Sequence, residues 1–344
     1  MVTVFTPAYN RAHVIHRVYD SLKSQTYRDF EWIIVDDGSS DNTKEVVDSF
    51  IAEGNFFEIR YFFQENQGKH RATNRAVREA RGELFITLDS DDGCKSNALE
   101  RLMQVWQTIP ESERVNYKGV SCRCCKPEAP EQIIGTHLKG RTMGDITYLD
   151  SNDHDLRYRH KVKGELWGMS RRAVLLENPY PAIEGLHYYP EGVYWGKLGK
   201  RYATRYFDDP LRFYYVDGTQ AENQLTKRVN AKETYYAREY MLSKDMIRSY
   251  FWCDPVNFWM QAVGFVRDGL LTGRALRDLF STAAATKRGA VLFVLALLPG
   301  KVLQVRENRK KRSAHYIARW LVRRGLYYQC YIRDLPKNTV IPIL

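Results

Sequence analysis

"LFITLDSDDG", residues 84–93, runs from an apolar stretch straight into three carboxylates within four positions. A short apolar run that ends in a turn reads as a buried strand, which places Asp89, Asp91 and Asp92 at the strand's carboxyl end. Negative charges this close repel one another unless something positive lies among them. A hard divalent cation, Mg2+ or Mn2+, is one candidate, because it takes oxygen ligands and keeps water or phosphate in its shell. One or two of these carboxylates would hold it while a substrate diphosphate filled the other positions. The plainer reading is an Asp-rich turn that caps the next helix, since Ser90 and Asp92 are good N-cap residues.

Outward from this stretch, strand and helix signals alternate. Val2 to Thr6 is a β-rich run that breaks at Pro7, and residues 11–25 place Val14, Val18 and Leu22 at helical spacing. Trp32 to Val35 reads as a buried strand that enters the acidic turn "DDGSSDNT". A helix over 42–53 carries Val46, Val47, Phe50 and Ile51 on one face; a strand at 59–63, a helix at 68–80 and the strand 84–88 follow. This order predicts an α/β fold with a mostly parallel sheet covered by helices. Ligands gather at the carboxyl ends of such strands, where Asp36-Asp37 and Asp89 to Asp92 both lie. Between about 110 and 220 the pattern loosens, with strands in "YKGVSCRC" and "TRYFDDPLRFYYVDG"; beyond 225 it is helical. Two domains are expected, 1–225 and 226–344.

The 344 residues, 44% hydrophobic and 27% charged, describe a folded protein, neither disordered nor a bundle of membrane spans. The net charge of +11 is uneven: residues 230–344 hold 20 Lys plus Arg against 8 Asp plus Glu. A basic end points to an anionic surface, membrane or nucleic acid, or to ordinary solvated helix faces. A nucleic-acid binder would interleave its cations with exposed aromatics. Here they alternate with apolar runs, so no nucleic-acid partner is expected. "GAVLFVLALLPG", residues 289–300, is uncharged between basic flanks. Twelve residues fall short of the ~20 that span a bilayer, which favours an interfacial helix on an anionic leaflet over a span. A buried core helix is the competing reading. Six cysteines without a regular framework predict reduced thiols, and Cys122-x-Cys124-Cys125 lacks the second pair a zinc site needs. Met1 leads at once into a core strand, so a cytoplasmic protein is expected, peripheral on the cytoplasmic face of the membrane.

"TPAYNR" (6–11), "IIVDDGSSDNT" (33–43), "NQGKHRATNRA" (66–76) and "LDSDDG" (88–93) agree with one another in order and spacing. Together they resemble the motifs of the family 2 glycosyltransferases, inverting enzymes of the GT-A fold, over roughly residues 1–220. That resemblance implies a metal-dependent transferase with a Rossmann-like sheet that moves a sugar from a nucleotide-diphospho donor, expected to be UDP-linked. Pro7 and Tyr9 would line the base, Asp37 would accept its N–H, and Asp36 would support the turn. Asp91 and Asp92 would hold the ribose and the metal–diphosphate, with Asp89 sharing either role. Lys69, His70 and Arg71 would meet the diphosphate. The commoner family pattern has Ala-Arg-Asn after the glycine; this chain has Ala72-Thr73-Asn74.

The family also places an acidic base at the start of a helix about a hundred residues further on, and "PEGVYW" puts Glu191 there. Glu184 is the rival, and a helix cap is the plain alternative for both. Tyr188, Tyr189, Tyr194 and Trp195 suit stacking on sugar rings or core packing; Gly164, Glu165 and Trp167 would line the donor sugar; Asp217-Gly218 would begin a lid. The acceptor would be a saccharide or lipid-linked hydroxyl, in surface polysaccharide or glycolipid assembly. A nucleotidyltransferase would show a Gly-rich phosphate loop near the N-terminus, and none is seen. An inactive sugar-nucleotide-binding module is the other alternative.

Overall fold

The computed structural model describes residues 1–215 and 230–324, with side chains to residue 308. Asp217-Gly218 and the expected boundary at 225 lie outside the described residues. The chain divides into two compact units, Met1–Val229 and Asn230–Leu344.

The first unit opens with β1 (Val2–Ala8), α1 (His16–Lys23), β2 (Phe30–Asp37), α2 (Thr43–Ala52), β3 (Glu58–Gln64), α3 (Lys69–Glu79) and β4 (Leu84–Thr87). Next come β5 (Gly93–Cys94), α4 (Ala98–Gln107), β6 (Tyr117–Lys126), β7 (Ala129–Ile133), β8 (Arg141–Met143) and β9 (Ile146–Ser151). The unit closes with α5 (Asp153–Tyr158), β10 (Leu166–Arg171), α6 (Arg172–Glu177), α7 (Glu191–Leu198) and β11 (Ala203–Phe213). The strand order is β3-β2-β1-β4-β10-β6-β11-β9-β8, with β5 on β11 and β7 on β6.

Strands β3, β2, β1 and β4 are parallel, as right-handed helical crossovers require. The crossovers stop after β4, and β10 joins it antiparallel; β6 and β11 pair parallel within an otherwise antiparallel half. Every residue of β2 is buried, which is why its centre, Trp32 to Val35, reads as an apolar run while Glu31, Asp36 and Asp37 need partners. Trp32 and Ile34 of β2 pack with Val18 and Leu22 of α1 and Leu102 of α4 in the main core. β1 continues through Pro7, which pairs with Val35 of β2. Its β4 partners end at Thr87 opposite Phe5, so the missing N–H of Pro7 falls where the ladder on that side has already finished.

The second unit holds α8 (Ala231–Met241), α9 (Lys244–Tyr250), α10 (Pro255–Leu271), α11 (Leu276–Ala283) and α12 (Lys287–Arg324). Asn230 and Glu233 form a capping box on α8, and α10 starts at Pro255 under an Asp254 cap. Fully buried Asp268 is held by Arg238 and Arg267, each at 2.7 Å, and by the Thr234 hydroxyl at 2.7 Å. A Cβ on Gly264 would overlap the Arg238 guanidinium, so the small residue lets that side chain through. On α12, Leu292, Phe293 and Ala296 are buried while Val291, Val294, Leu295 and Leu298 are open to solvent. Residues 289–300 therefore supply one core face, as the buried-helix reading expected, and one solvent-exposed apolar face. The 22 residues Lys287–Asn308 are, by length and composition alone, sufficient to cross a membrane.

Candidate functional site

The acidic turn finds its positive partners in the chain itself. Lys69, the first residue of α3, places Nζ 2.7 Å from Asp89 Oδ1 and 2.9 Å from Glu191 Oε1. Arg212 donates from Nη2 to Asp89 Oδ2 at 2.9 Å and from Nε to Asp92 Oδ2 at 2.8 Å, and its Nη2 also contacts Asp92. Among the described residues, Asp91 joins only through its carbonyl, which accepts from Arg17 Nη1 at 3.2 Å.

Local chain geometry explains these meetings. Gly68 sits at φ 92°, where a Cβ would overlap the His187 carbonyl, so the start of α3 packs against the loop that leads into α7. That contact brings Lys69 to Glu191, which opens α7 after Pro190 and whose charge the helix N-terminus favours. Arg212 lies opposite Cys94 in the β5–β11 pair, directly after the acidic turn. Burial works against the charge of Lys69, yet Asp89 and Glu191 hold its ammonium above the usual lysine range. Burial likewise opposes ionisation of Asp89, but Lys69 and Arg212 hold its carboxyl well below the usual range. At Asp92 burial prevails and pushes the carboxyl up to about 7 against the pull of Arg212.

Nearby, Tyr9 leaves β1 with 40% of its surface open, free to stack. Asn10, at φ 55°, ties this loop to the next by accepting from Ser40 N at 2.8 Å and donating its own N–H to Ser39 Oγ at 2.8 Å. Asp36 accepts from Tyr61 Oη at 2.6 Å and Ser39 N at 2.7 Å, and so braces the turn. Asp37 accepts from Gln64 Nε2 (2.8 Å), Gln67 N (2.9 Å) and Gly68 N (2.7 Å). A carboxylate has about four acceptor sites, which leaves one for a base N–H. Of the three basic residues of α3's first turn, only Lys69 faces the acids. His70 is buried beside Tyr180, and burial with neighbouring Arg71 pushes its imidazole down to about 4. Arg71 turns back to Gln67 Oε1 at 3.2 Å.

Lys69, Asp89, Arg212 and Glu191 line a cavity of about 340 Å3, which Glu165 and Trp167 also enter. Among the aromatics near Glu191, Tyr189 is buried and serves packing, while Tyr194 stacks on Tyr180 (3.7 Å between centroids) and both rings line the cavity. Trp195 lines the cavity with the Lys118 ammonium 4.7 Å from its ring centre. Glu184 is not among the residues that line it.

Sequence reasoning missed Arg212 and Asn10. The available signal for the first was an arginine inside the apolar strand "LRFYY", which needs a carboxylate partner if buried. The residues fit a metal held mainly by substrate phosphates, not an all-protein cage. Asp89 and Asp92 are committed to cations, the described residues contain no group of three or more metal-ligating side chains, and the partly exposed Asp91 carboxylate makes no ion pair or hydrogen bond among them.

The sheet order, with its acidic turn facing a helix-borne carboxylate, defines the GT-A fold. Residues 3–113 match the family model "Glycosyl transferase family 2". The chain is 36% identical over 217 residues to GalNAc(5)-diNAcBac-PP-undecaprenol beta-1,3-glucosyltransferase of Campylobacter jejuni, covering 62% of this chain and 64% of that one. Staphylococcus aureus TarS residues 1–349, solved with UDP, aligns with a TM-score of 0.51 at 15% identity over 97% of this chain and 94% of that one. PcManGT, a mannosyltransferase from Pyrobaculum calidifontis solved with GDP-Man and Mn2+, gives 0.50 at 18% identity over 88% and 86%. The match spans only 33% and 34% of the length of two other curated relatives. Residues 3–113 thus carry a family 2 glycosyltransferase domain.

Proposed function

We propose that the protein transfers a sugar, with inversion, from a UDP-linked donor to a hydroxyl of a saccharide or lipid-linked acceptor. The observation that carries this reading is the Lys69 bridge: one ammonium joins Asp89 of the donor motif to Glu191, the base candidate, across one cavity. Tyr9 and Pro7 frame the base, Asp37 offers its remaining acceptor site to a base N–H, and Asp36 keeps the turn in place. Asp91 would hold the metal, and a bound Mg2+ or Mn2+ supplies charge neutralisation for the departing diphosphate.

Glu191 takes the proton of the acceptor hydroxyl, whose oxygen bonds the anomeric carbon as the bond to the diphosphate oxygen breaks on the opposite face. No second carboxylate is assigned as nucleophile, so a single displacement and inversion follow. Lys69, paired with Glu191 and Asp89, adds positive charge where the diphosphate departs. The name of the Campylobacter relative supports a lipid-linked acceptor in glycan assembly.

The test is calorimetric titration of UDP, with GDP as control, with and without Mn2+, on the wild type, Asp91→Ala and Asp37→Ala. Expected is UDP binding that metal tightens at least tenfold, with the metal effect absent in Asp91→Ala and all UDP binding weakened in Asp37→Ala. Absence of nucleotide binding to the wild type refutes the donor assignment.

A further inference from the structure

Helix α12 is apolar on two opposite sides. Leu292, Phe293 and Ala296 are buried within the second unit, where the helix packs on α10. Val291, Val294, Leu295, Leu298, Val302 and Val305 are 41–74% exposed. Their spacings of three and four residues place all six on one stripe, roughly 100° wide and about 21 Å long at 1.5 Å per residue. Soluble monomers seldom leave so continuous an aliphatic stripe open to water. Cations frame it: Arg288 stands beside its start, Arg306 beside its end, and Lys301 on the other flank. The Arg288 guanidinium lies 5.1 Å from the ring centre of Trp252, itself 72% exposed.

We infer that this stripe is a docking face for an anionic lipid bilayer, on which α12 lies in the interfacial plane. The charge selects the occupant. Residues 230–344 carry a surplus of 12 positive charges, and those nearest the stripe sit at its edges, where long basic side chains reach phosphate while their stems follow the acyl boundary. A second copy of this chain would bring the same positive rim against itself. A span is disfavoured because the opposite face of the helix is already buried in protein and Lys301 interrupts the run. The inference stands apart from the catalytic reading, since vesicle binding needs neither donor nor acceptor.

Full-length protein is floated with vesicles of phosphatidylcholine alone or with 30% phosphatidylglycerol, at low and high salt. The variants are Val294→Glu/Leu298→Glu, at exposed positions where folding is undisturbed, and Arg288→Gln/Lys301→Gln/Arg306→Gln; circular dichroism checks each fold. Expected is binding that needs the anionic lipid and weakens at least tenfold in the Glu pair, with a smaller loss and a flatter salt dependence in the Gln triple variant. Unchanged binding by the Glu pair would assign the affinity to the basic terminus alone and overturn the docking face. So would a wild-type dimer that ignores vesicles and that the Glu pair dissociates, since a second copy would then cover the stripe. Retention of the protein in native membranes after an alkaline carbonate wash would replace the interfacial helix with a spanning one.

Discussion

At the amino ends of β1 and β2, Glu31 is 2% exposed and accepts from Thr3 Oγ1 (2.7 Å), Arg81 N (2.6 Å) and Arg60 Nη1 (3.0 Å). At the carboxyl end of β4, the Asp89–Asp92 turn is threaded by Lys69 and Arg212. Both clusters bury acids against bases on one sheet, and they differ in closure. Around Glu31 the donors satisfy the carboxylate locally, and although burial opposes its charge these bonds hold the acid below its usual range. At the other end Asp91 keeps its carboxylate clear, and Glu191, 43% exposed, borders a cavity. A closed cluster returns its desolvation cost as stability. An open one keeps acceptor capacity for a ligand, at the strand ends where α/β sheets place their sites.

The largest effect should come from the open cluster. Glu191→Gln is expected to lower kcat about 10^2- to 10^4-fold while leaving the urea midpoint and UDP affinity nearly unchanged. A loss below tenfold would move the base elsewhere, with Glu184 the first to try. Arg212→Met leaves Asp92 buried without its partner, so unfolding free energy should fall by about 3–5 kcal/mol. Adding Asp92→Leu should recover much of that loss without restoring activity; recovery of both would mean that the pair is structural only.

The closed cluster should answer in stability alone. Glu31→Gln should cost about 1–3 kcal/mol by chemical denaturation, with kcat/KM of the folded fraction unchanged. A kinetic defect without a stability loss would erase the contrast between the two ends.

The effect that is smallest near neutral pH concerns His70. Its folded pKa of about 4 lies below the ordinary value, so on acidification the unfolded chain takes the proton first. Stability should therefore decline as pH falls from about 6.5 to 4, and His70→Gln should flatten that decline. Equal slopes in the two proteins would place the titrating group elsewhere.

Local pattern determined a great deal. The apolar runs at 32–35 and 84–88 needed only their own residues to read as strands, and the acids that follow had to stand at strand ends once the βαβ order was seen. Lys69, Asp89 and Glu191 were each legible as candidates. That one ammonium would join the latter two was not, because the contact depends on Gly68 packing against the carbonyl of His187, more than a hundred residues away. Arg212 was hidden for the same reason: it meets Asp92 across 120 positions through the β5–β11 pairing. Asp37 looked like a free acceptor, and three of its acceptor sites turned out to hold the loop before α3.

The sequence by itself determined which residues carry charge and which strand ends present it, because hydrophobic periodicity and turn chemistry act over a few neighbours. Only the tertiary structure decided which charges neutralise one another and which carboxylate is left to bind. Coulomb pairing depends on distance in space, and chain order does not encode that distance beyond a turn or two.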